Sequence, residues 1–246
     1  MKSKKLYNQN LGVVTFVNNK YLLEFFTKYK NFVLVKDSKD YYEITGILEL
    51  NQSSSYTNIN IYENIKIRIL MYKNFPDTLP KVFKIENQDD KFHINPDNSL
   101  CLGTDLDIRK SLYPDYSLNV WIEKFLLPYF YSYFYNKKYK HVPFGERSHG
   151  IIGEYEALQD FFNLNDFKSV YYLVNNLLKR KYLRMLKYKN KIRFLPCPCG
   201  SEKKIEKCHK NEISLFKKIY IKNNFKILHE IKEDYEQNNK RKTKRF

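Results

Sequence analysis

YYEITGILEL, residues 41–50, places Tyr42, Ile44, Gly46, Leu48 and Leu50 on one side of an alternating pattern. A period of two is that of a β-strand, whose successive side chains point to opposite faces. IKIRILMY (65–72) repeats the pattern, with Ile65, Ile67, Ile69 and Met71 set against Lys66, Arg68, Leu70 and Tyr72. NQSSSYTN (51–58) between them is polar and turn-like. Two such runs predict antiparallel strands with one covered face. FPDTLPKVFKIEN (75–87) puts two prolines just before a third strand, Lys81 to Ile85. Upstream, NNKYLLEFFTKYK (18–30) spaces Leu22, Leu23, Phe25, Phe26 and Tyr29 as a short amphipathic helix does.

Downstream the pattern turns helical. SLNVWIEKFLLPYFYSYFY (117–135) reads as a buried aromatic helix, N-capped by Ser117 and kinked or split by Pro128. HVPFGERSHGIIG (141–153) is a glycine-punctuated loop. Helical spacing resumes over 154–163 and over 165–190, the second capped by Asn165 and striped with Val170, Leu173, Val174, Leu177 and Leu178. RFLP (193–196) interrupts it, and a last amphipathic segment covers 212–236. The fold class is therefore α+β: an antiparallel meander flanked by helices, then a helical extension and a small cysteine-bearing module. The expected divisions are 15–163, 164–192, 193–236 and a basic disordered tail over 237–246.

Bulk composition narrows the function. Hydrophobic residues make up 43% of the 246 positions and aromatics 17%, enough for a sizeable core, so wholesale disorder is not expected. No run approaches the ~20 apolar residues of a membrane helix. MKSKKLYNQNLGVVTF is basic without a long apolar run, so no signal peptide is expected, and a cytoplasmic setting with reduced thiols is. The formal charge of +17 favours anionic partners. Lysine here accompanies abundant Asn, Tyr, Ile and Phe, as in a chain drawn from an AT-rich coding sequence. Nucleic acid is thus the secondary choice of partner.

Three of the four cysteines stand together. Cys197, Cys199, Cys208 and His209 give Cys-x-Cys, eight residues, then Cys-His. Three thiolates and an imidazole complete a tetrahedral zinc shell with no open position, the pattern of a structural site. Gly200 and Ser201 let the chain turn tightly, and Lys203, Lys204, Lys207 and Lys210 offset the surplus negative charge. The cluster resembles the SEC-C metal-binding motif over some 14 residues. Such a knuckle docks a partner or staples a module with little core of its own.

Cys101 is left over. Leu100 and Leu102 suit a buried core cysteine, which packs as a small hydrophobe. The preceding NPDNS is polar and turn-forming, which instead places Cys101 at a loop mouth. FPDTLPKVF (75–83), His93-Ile94-Asn95 and Leu100-Cys101-Leu102, in that order after a helix and a meander, resemble the ubiquitin-conjugating (UBC) enzyme family over roughly residues 15–135. Trp121 stands where that family often has a tryptophan after its cysteine. Two features depart from the family: Ile94 replaces the proline of His-Pro-Asn, and the step from Asn95 to Cys101 is about two residues shorter than in the eukaryotic enzymes. The short step and the Gly145–Gly150 loop look more like the bacterial members of antiphage defence operons, some with a cyclic-oligonucleotide synthase (CBASS).

What the resemblance implies is an acyl carrier. Cys101 would hold the C-terminus of a ubiquitin-like or other donor protein as a thioester and pass it to an amine. Asn95 would donate to the oxyanion or brace the loop, and His93 would tie the loop by hydrogen bonds. His149 is either a solvent-facing turn residue or, with Glu146, a proton acceptor; Asp105 and Asp107 are lesser candidates to receive a lysine ammonium. No glycine-rich nucleotide fingerprint follows a strand, so a separate activating partner is implied; a cyclic-oligonucleotide synthase is a further expected partner. The competing readings are a non-catalytic scaffold, a zinc-bearing nucleic-acid-binding protein, and a cysteine hydrolase pairing Cys101 with His149.

Overall fold

The computed structural model describes residues 4–8, 13–17, 19–55, 57–85, 92–188, 194–220 and 225–243. It is an α+β protein of two compact units, one comprising 1–103 and 114–145, the other 104–113 and 146–246.

In the first unit, β1 (Lys4–Asn8) and β2 (Val13–Val17) pair antiparallel. Asn19 then caps α1 (Lys20–Lys28), its Oδ1 accepting the N–H groups of Tyr21 at 3.0 Å and Leu22 at 3.3 Å. Leu22, Phe25 and Phe26 form the buried face, as the spacing predicts. β3 (Phe32–Asp37), β4 (Tyr41–Ser54), β5 (Ile59–Tyr72) and β6 (Lys81–Lys84) form a four-stranded antiparallel sheet in sequential order. Ile44 opposes Ile69 and Leu48 opposes Ile65, and all four are buried. The strands outrun the predicted turn, since Gln52 still pairs with Ile61. Backbone pairing needs no apolar side chain, so the polar distal end stays in the ladder until Asn58 takes a left-handed φ of 52°. β3 was not expected, because its burial follows no alternation. Gly46 is required by β3: a Cβ there would lie 2.3 Å from the Asn31 carbonyl oxygen.

The chain leaves the first unit for α2 (Asp105–Leu112) and rejoins it at Pro114. α3 (Leu118–Trp121), a π-helical stretch Ile122–Leu126 and α4 (Leu127–Tyr139) then run on without a break. The wider turns precede Pro128, whose ring cannot accept an ordinary α-helical neighbour. Ser117 occupies the N-cap position with extended backbone but makes no side-chain cap bond, unlike the expected cap. Trp121 is 1% exposed, and Phe130, Tyr131 and Tyr133 carry the aromatic burial into α4.

The second unit is helical. It contains α2, α5 (Ile151–Phe161), α6 (Phe167–Leu177), α7 (Arg180–Lys187), the cysteine loop, α8 (Lys210–Tyr220) and α9 (Lys226–Thr243). The cap of α6 is Asp166 rather than Asn165: its Oδ1 accepts the Ser169 N–H at 2.7 Å. The predicted helix 165–190 breaks at Lys179, whose extended backbone re-aims the chain so that Tyr182, Met185 and Leu186 of α7 are buried. The segment 212–236 likewise divides into α8 and α9, and α9 continues to Thr243, past the expected start of a disordered tail. Leu158, Phe162, Val170, Leu173, Leu177, Cys197, Phe216 and Ile231 belong to one core. The cysteine loop and α5–α9 thus bury apolar groups together.

Candidate functional site

Residues 92–103 fold as a short hairpin-like loop. Ile94 and Leu100 form an antiparallel bridge. The Cys101 N–H donates to the His93 carbonyl at 2.7 Å, the Asn95 N–H to the Ser99 carbonyl at 2.8 Å, and the Asn98 N–H to the Asn95 carbonyl at 2.9 Å. The turn needs left-handed backbone at Asn98 (φ 63°), a conformation asparagine tolerates, and His93 has φ 45°. Leu100 ties the loop to the sheet, donating its N–H to the Val82 carbonyl of β6 at 2.8 Å. From the helical side, the Tyr129 hydroxyl donates to the Phe92 carbonyl at 2.8 Å.

Asn95 fills the bracing role. Its Nδ2 donates to Ser99 Oγ at 3.0 Å and to the Leu100 carbonyl at 3.2 Å, which engages both amide protons within the loop. Asp97 closes the turn by accepting from the Ser99 N–H at 3.0 Å and hydroxyl at 2.6 Å, and it pairs with Lys81 Nζ at 2.6 Å. The Lys81 and Ser99 side chains together hold its carboxyl down to about 2. Leu100 is buried, Asn98 is exposed, and Cys101 is half-buried at the end of this frame. The structure thus brings Cys101, His93 and Asn95 into one loop, in which the His93 carbonyl accepts the Cys101 N–H.

His149 and Glu146 lie in the second unit, and both are exposed. Around them the loop is organised by a residue that the sequence reading passed over. Arg147 pairs with Asp107 at 2.6 Å and with Asp160 at 2.9 Å, while Ser148 donates its hydroxyl to Glu156 at 2.6 Å. Asp105 pairs with the buried Arg109 at 2.6 Å. Both aspartates proposed as lysine receivers are therefore held by arginines of their own unit.

The second site is the Cys/His cluster. The ligand atoms of Cys197, Cys199, Cys208 and His209 all lie within 4.8 Å of one another. His209 Nδ1 is 3.3 Å from the sulfurs of Cys197 and Cys208, and the Cys199 and Cys208 sulfurs are 3.5 Å apart. Tetrahedral Zn–S and Zn–N bonds imply ligand separations of roughly 3.5–3.8 Å, so the four atoms fit around one ion. His209 Nε2 is 2.7 Å from the Phe162 carbonyl, which can only accept; the proton sits on Nε2, and Nδ1 is free to ligate.

The donor chemistry fits as well. Burial pushes the Cys197 thiol up to about 12. Burial also acts on Cys199, but hydrogen bonding with the Ser201 hydroxyl and N–H, and with its fellow cysteines, outweighs it and brings that thiol down to about 7. One thiol ionises at the expense of the others, and a divalent cation is what lets three crowded sulfurs ionise together. These residues could hold a metal such as zinc, closed off from chemistry at a fourth position.

Several supporting groups lie around the cluster. Tyr182 donates its hydroxyl to the Pro196 carbonyl at 2.7 Å, and Asn176 donates to the Pro198 carbonyl at 2.8 Å. The Cys197 N–H donates to the Lys203 carbonyl at 2.7 Å. Gly200 has φ 88°, a left-handed backbone that strains any side chain, and a Cβ there would meet the Tyr172 ring at 2.4 Å unless the ring moved. Ser201 Oγ lies 3.3 Å from the Cys199 sulfur and 3.2 Å from that of Cys208. Asn176 had a visible signal, being a polar residue directly before Leu177 on the apolar stripe of α6.

Comparison of the chain with protein-family models, curated proteins and solved structures gives no match. Among the described residues, no helix is long and apolar enough to cross a membrane.

Proposed function

We propose that the first unit is a ubiquitin-conjugating-type acyl carrier with Cys101 as its nucleophile. The observation that carries the reading is the loop itself: a half-buried thiol at the end of a hydrogen-bonded turn, anchored to the last strand of an antiparallel meander. Rigid placement matters for acyl transfer, since it fixes the sulfur while leaving the donor and acceptor to bind around it. In the first step the Cys101 thiolate attacks the activated C-terminal carbonyl of a donor protein, forming a C–S bond and expelling the activating group. In the second, an amine attacks the thioester carbonyl, an amide forms, the thiolate leaves and the amine proton passes to solvent or a base. Asn95 serves by bracing the loop. A ubiquitin-like or other protein C-terminus is the donor, a separate activating partner supplies its energy, and bacterial antiphage defence is the setting that the resemblance implies. The Cys/His cluster holds structural zinc in the second unit.

Intact-mass spectrometry tests this reading. Wild type and Cys101→Ser are each co-purified with the products of neighbouring genes. A protein-sized adduct that a thiol reductant removes from wild type, and that persists as an oxyester on the serine variant, is expected. Absence of any adduct with every co-expressed partner contradicts the acyl-carrier reading and brings forward a scaffold role for the same fold.

A further inference from the structure

We propose that the exposed face of α7, with the cysteine-loop hairpin beside it, is a binding surface for single-stranded nucleic acid. The first observation is charge without compensation. No Asp or Glu occurs between Asp166 and Glu202. Within that span α7 buries Tyr182, Met185 and Leu186 and turns Arg180, Lys181, Arg184 and Lys187 to solvent, with Lys179 just before them. Among the described residues none of these five cations is within ion-pair distance of a carboxylate. The contrast with α9 is direct: there Lys226 pairs with Glu230 at 3.2 Å and Lys232 with Glu236 at 3.8 Å. In the described part of α9, Lys226 and Lys232 thus face carboxylates of their own helix, and the cations of α7 do not.

The second observation is continuity. Tyr182 of α7 is bonded to the Pro196 carbonyl, and Pro196 bridges to Lys204 across the cysteine-loop hairpin. Lys203 and Lys204 are exposed on that hairpin, so the basic face passes from the helix onto the loop that carries the metal ligands. A metal that fixes the hairpin would thereby fix part of the cationic surface.

The third observation points to the class of polyanion. Tyr188, which ends α7, and Tyr172 of α6, which packs on Gly200 of the cysteine loop, expose 61% and 52% of their surface. The Tyr172 ring packs against Gly200, close enough that a Cβ there would meet it at 2.4 Å. Exposed rings in a stretch of lysines and arginines suit unpaired bases, which stack on the rings while the cations follow the phosphates. A duplex hides its base faces and would leave the tyrosines without work. A membrane surface calls for an apolar wedge, and the apolar face of α7 is already buried within the unit.

Fluorescence anisotropy of the full zinc-loaded chain with a labelled oligouridylate at 50–300 mM KCl tests the proposal. Affinity is expected to fall steeply with salt, as for several displaced counterions. Lys181→Glu/Arg184→Glu/Lys187→Glu is expected to weaken binding by about tenfold or more. Lys137→Glu/Lys138→Glu/Lys140→Glu, an equal change of charge at exposed positions of the first unit, is expected to weaken it far less. Tyr172→Ala and Tyr188→Ala are each expected to cost about fivefold or more while leaving the salt slope unchanged. Melting curves establish that each variant folds, and Arg184→Glu alone replaces the first triple variant if that one melts early. Four results overturn the proposal: no binding at 50 mM KCl, equal losses from the two triple variants, unchanged affinity in both tyrosine variants, or binding to phosphatidylserine vesicles in place of the oligonucleotide.

Discussion

The two cysteine sites are built by opposite means. In the second unit the sulfurs of Cys197, Cys199 and Cys208 converge with one imidazole, and every surrounding bond holds them close. In the first unit Cys101 is the one cysteine of the sequence, and the surrounding bonds form a backbone frame that positions its thiol. Convergent sulfurs suit a cation and a closed shell. A single framed sulfur suits chemistry with a visiting carbonyl. The same element thus marks a staple in one place and a candidate nucleophile in the other, and geometry separates the two.

The largest effect is expected from breaking the convergent site. Chelation, or Cys208→Ser, should abolish zinc binding and melt the second unit, because structural zinc contributes on the order of 10 kcal/mol, comparable to a whole domain's stability. Metal analysis together with thermal melting reads both losses. A zinc-free chain whose second unit melts as before would break the contrast.

Buried and exposed carboxylates sharpen the comparison through pH. Glu154 accepts the Asp105 N–H at 3.2 Å through Oε1, while its Oε2 is buried without a partner. Burial, reinforced by Asp105, Asp107 and Glu230, pushes it up to about 7. A carboxyl raised in this way favours the folded state while protonated. Its contribution is fully present below the ordinary carboxyl range and is lost as pH rises through about 7. The second unit should lose up to about 3 kcal/mol between pH 4.5 and 8, and Glu154→Gln should flatten that slope in melts across pH.

Asn95→Ala and Asn176→Ala compare the two frames at the same residue type. Each removes an amide that holds a backbone carbonyl, at about 1–3 kcal/mol. Asn176→Ala should lower zinc affinity and leave Cys101 alkylation unchanged, and Asn95→Ala should do the reverse. The smallest effect is expected at Asp97, whose Lys81 pair is exposed: Asp97→Asn should cost below about 1 kcal/mol. Its carboxyl is depressed, so the contribution is present at neutral pH and lost only as pH falls through about 2. Urea titration of each variant reads these differences.

How much of this was legible follows the physics of each signal. The faces of β4 and β5 could be read because one side of each is buried, and burial writes a period of two. β3 could not, because its outer half is exposed and its burial writes no alternation. The ligand set was readable because metal geometry constrains spacing along the chain. The Phe162 carbonyl and Tyr182 were not, since the one is a backbone atom bonded to the His209 ring and the other acts on the Pro196 carbonyl; Asn176 alone left a mark, as a polar residue on the apolar stripe of α6. The break at Lys179 was missed because the apolar stripe resumes beyond it with nearly the same spacing. At Cys101 the polar NPDNS turn marked a loop, but the bracing by Asn95 became visible only with the fold.

Alkylation of the zinc-loaded chain with iodoacetamide, followed by peptide mass mapping, tests most directly whether the two sites differ in kind. Labelling at Cys101 alone is predicted, with Cys197, Cys199 and Cys208 joining it only after chelation. Protection of Cys101 while any of those three is labelled in the presence of zinc would contradict both the closed metal site and the framed, available thiol.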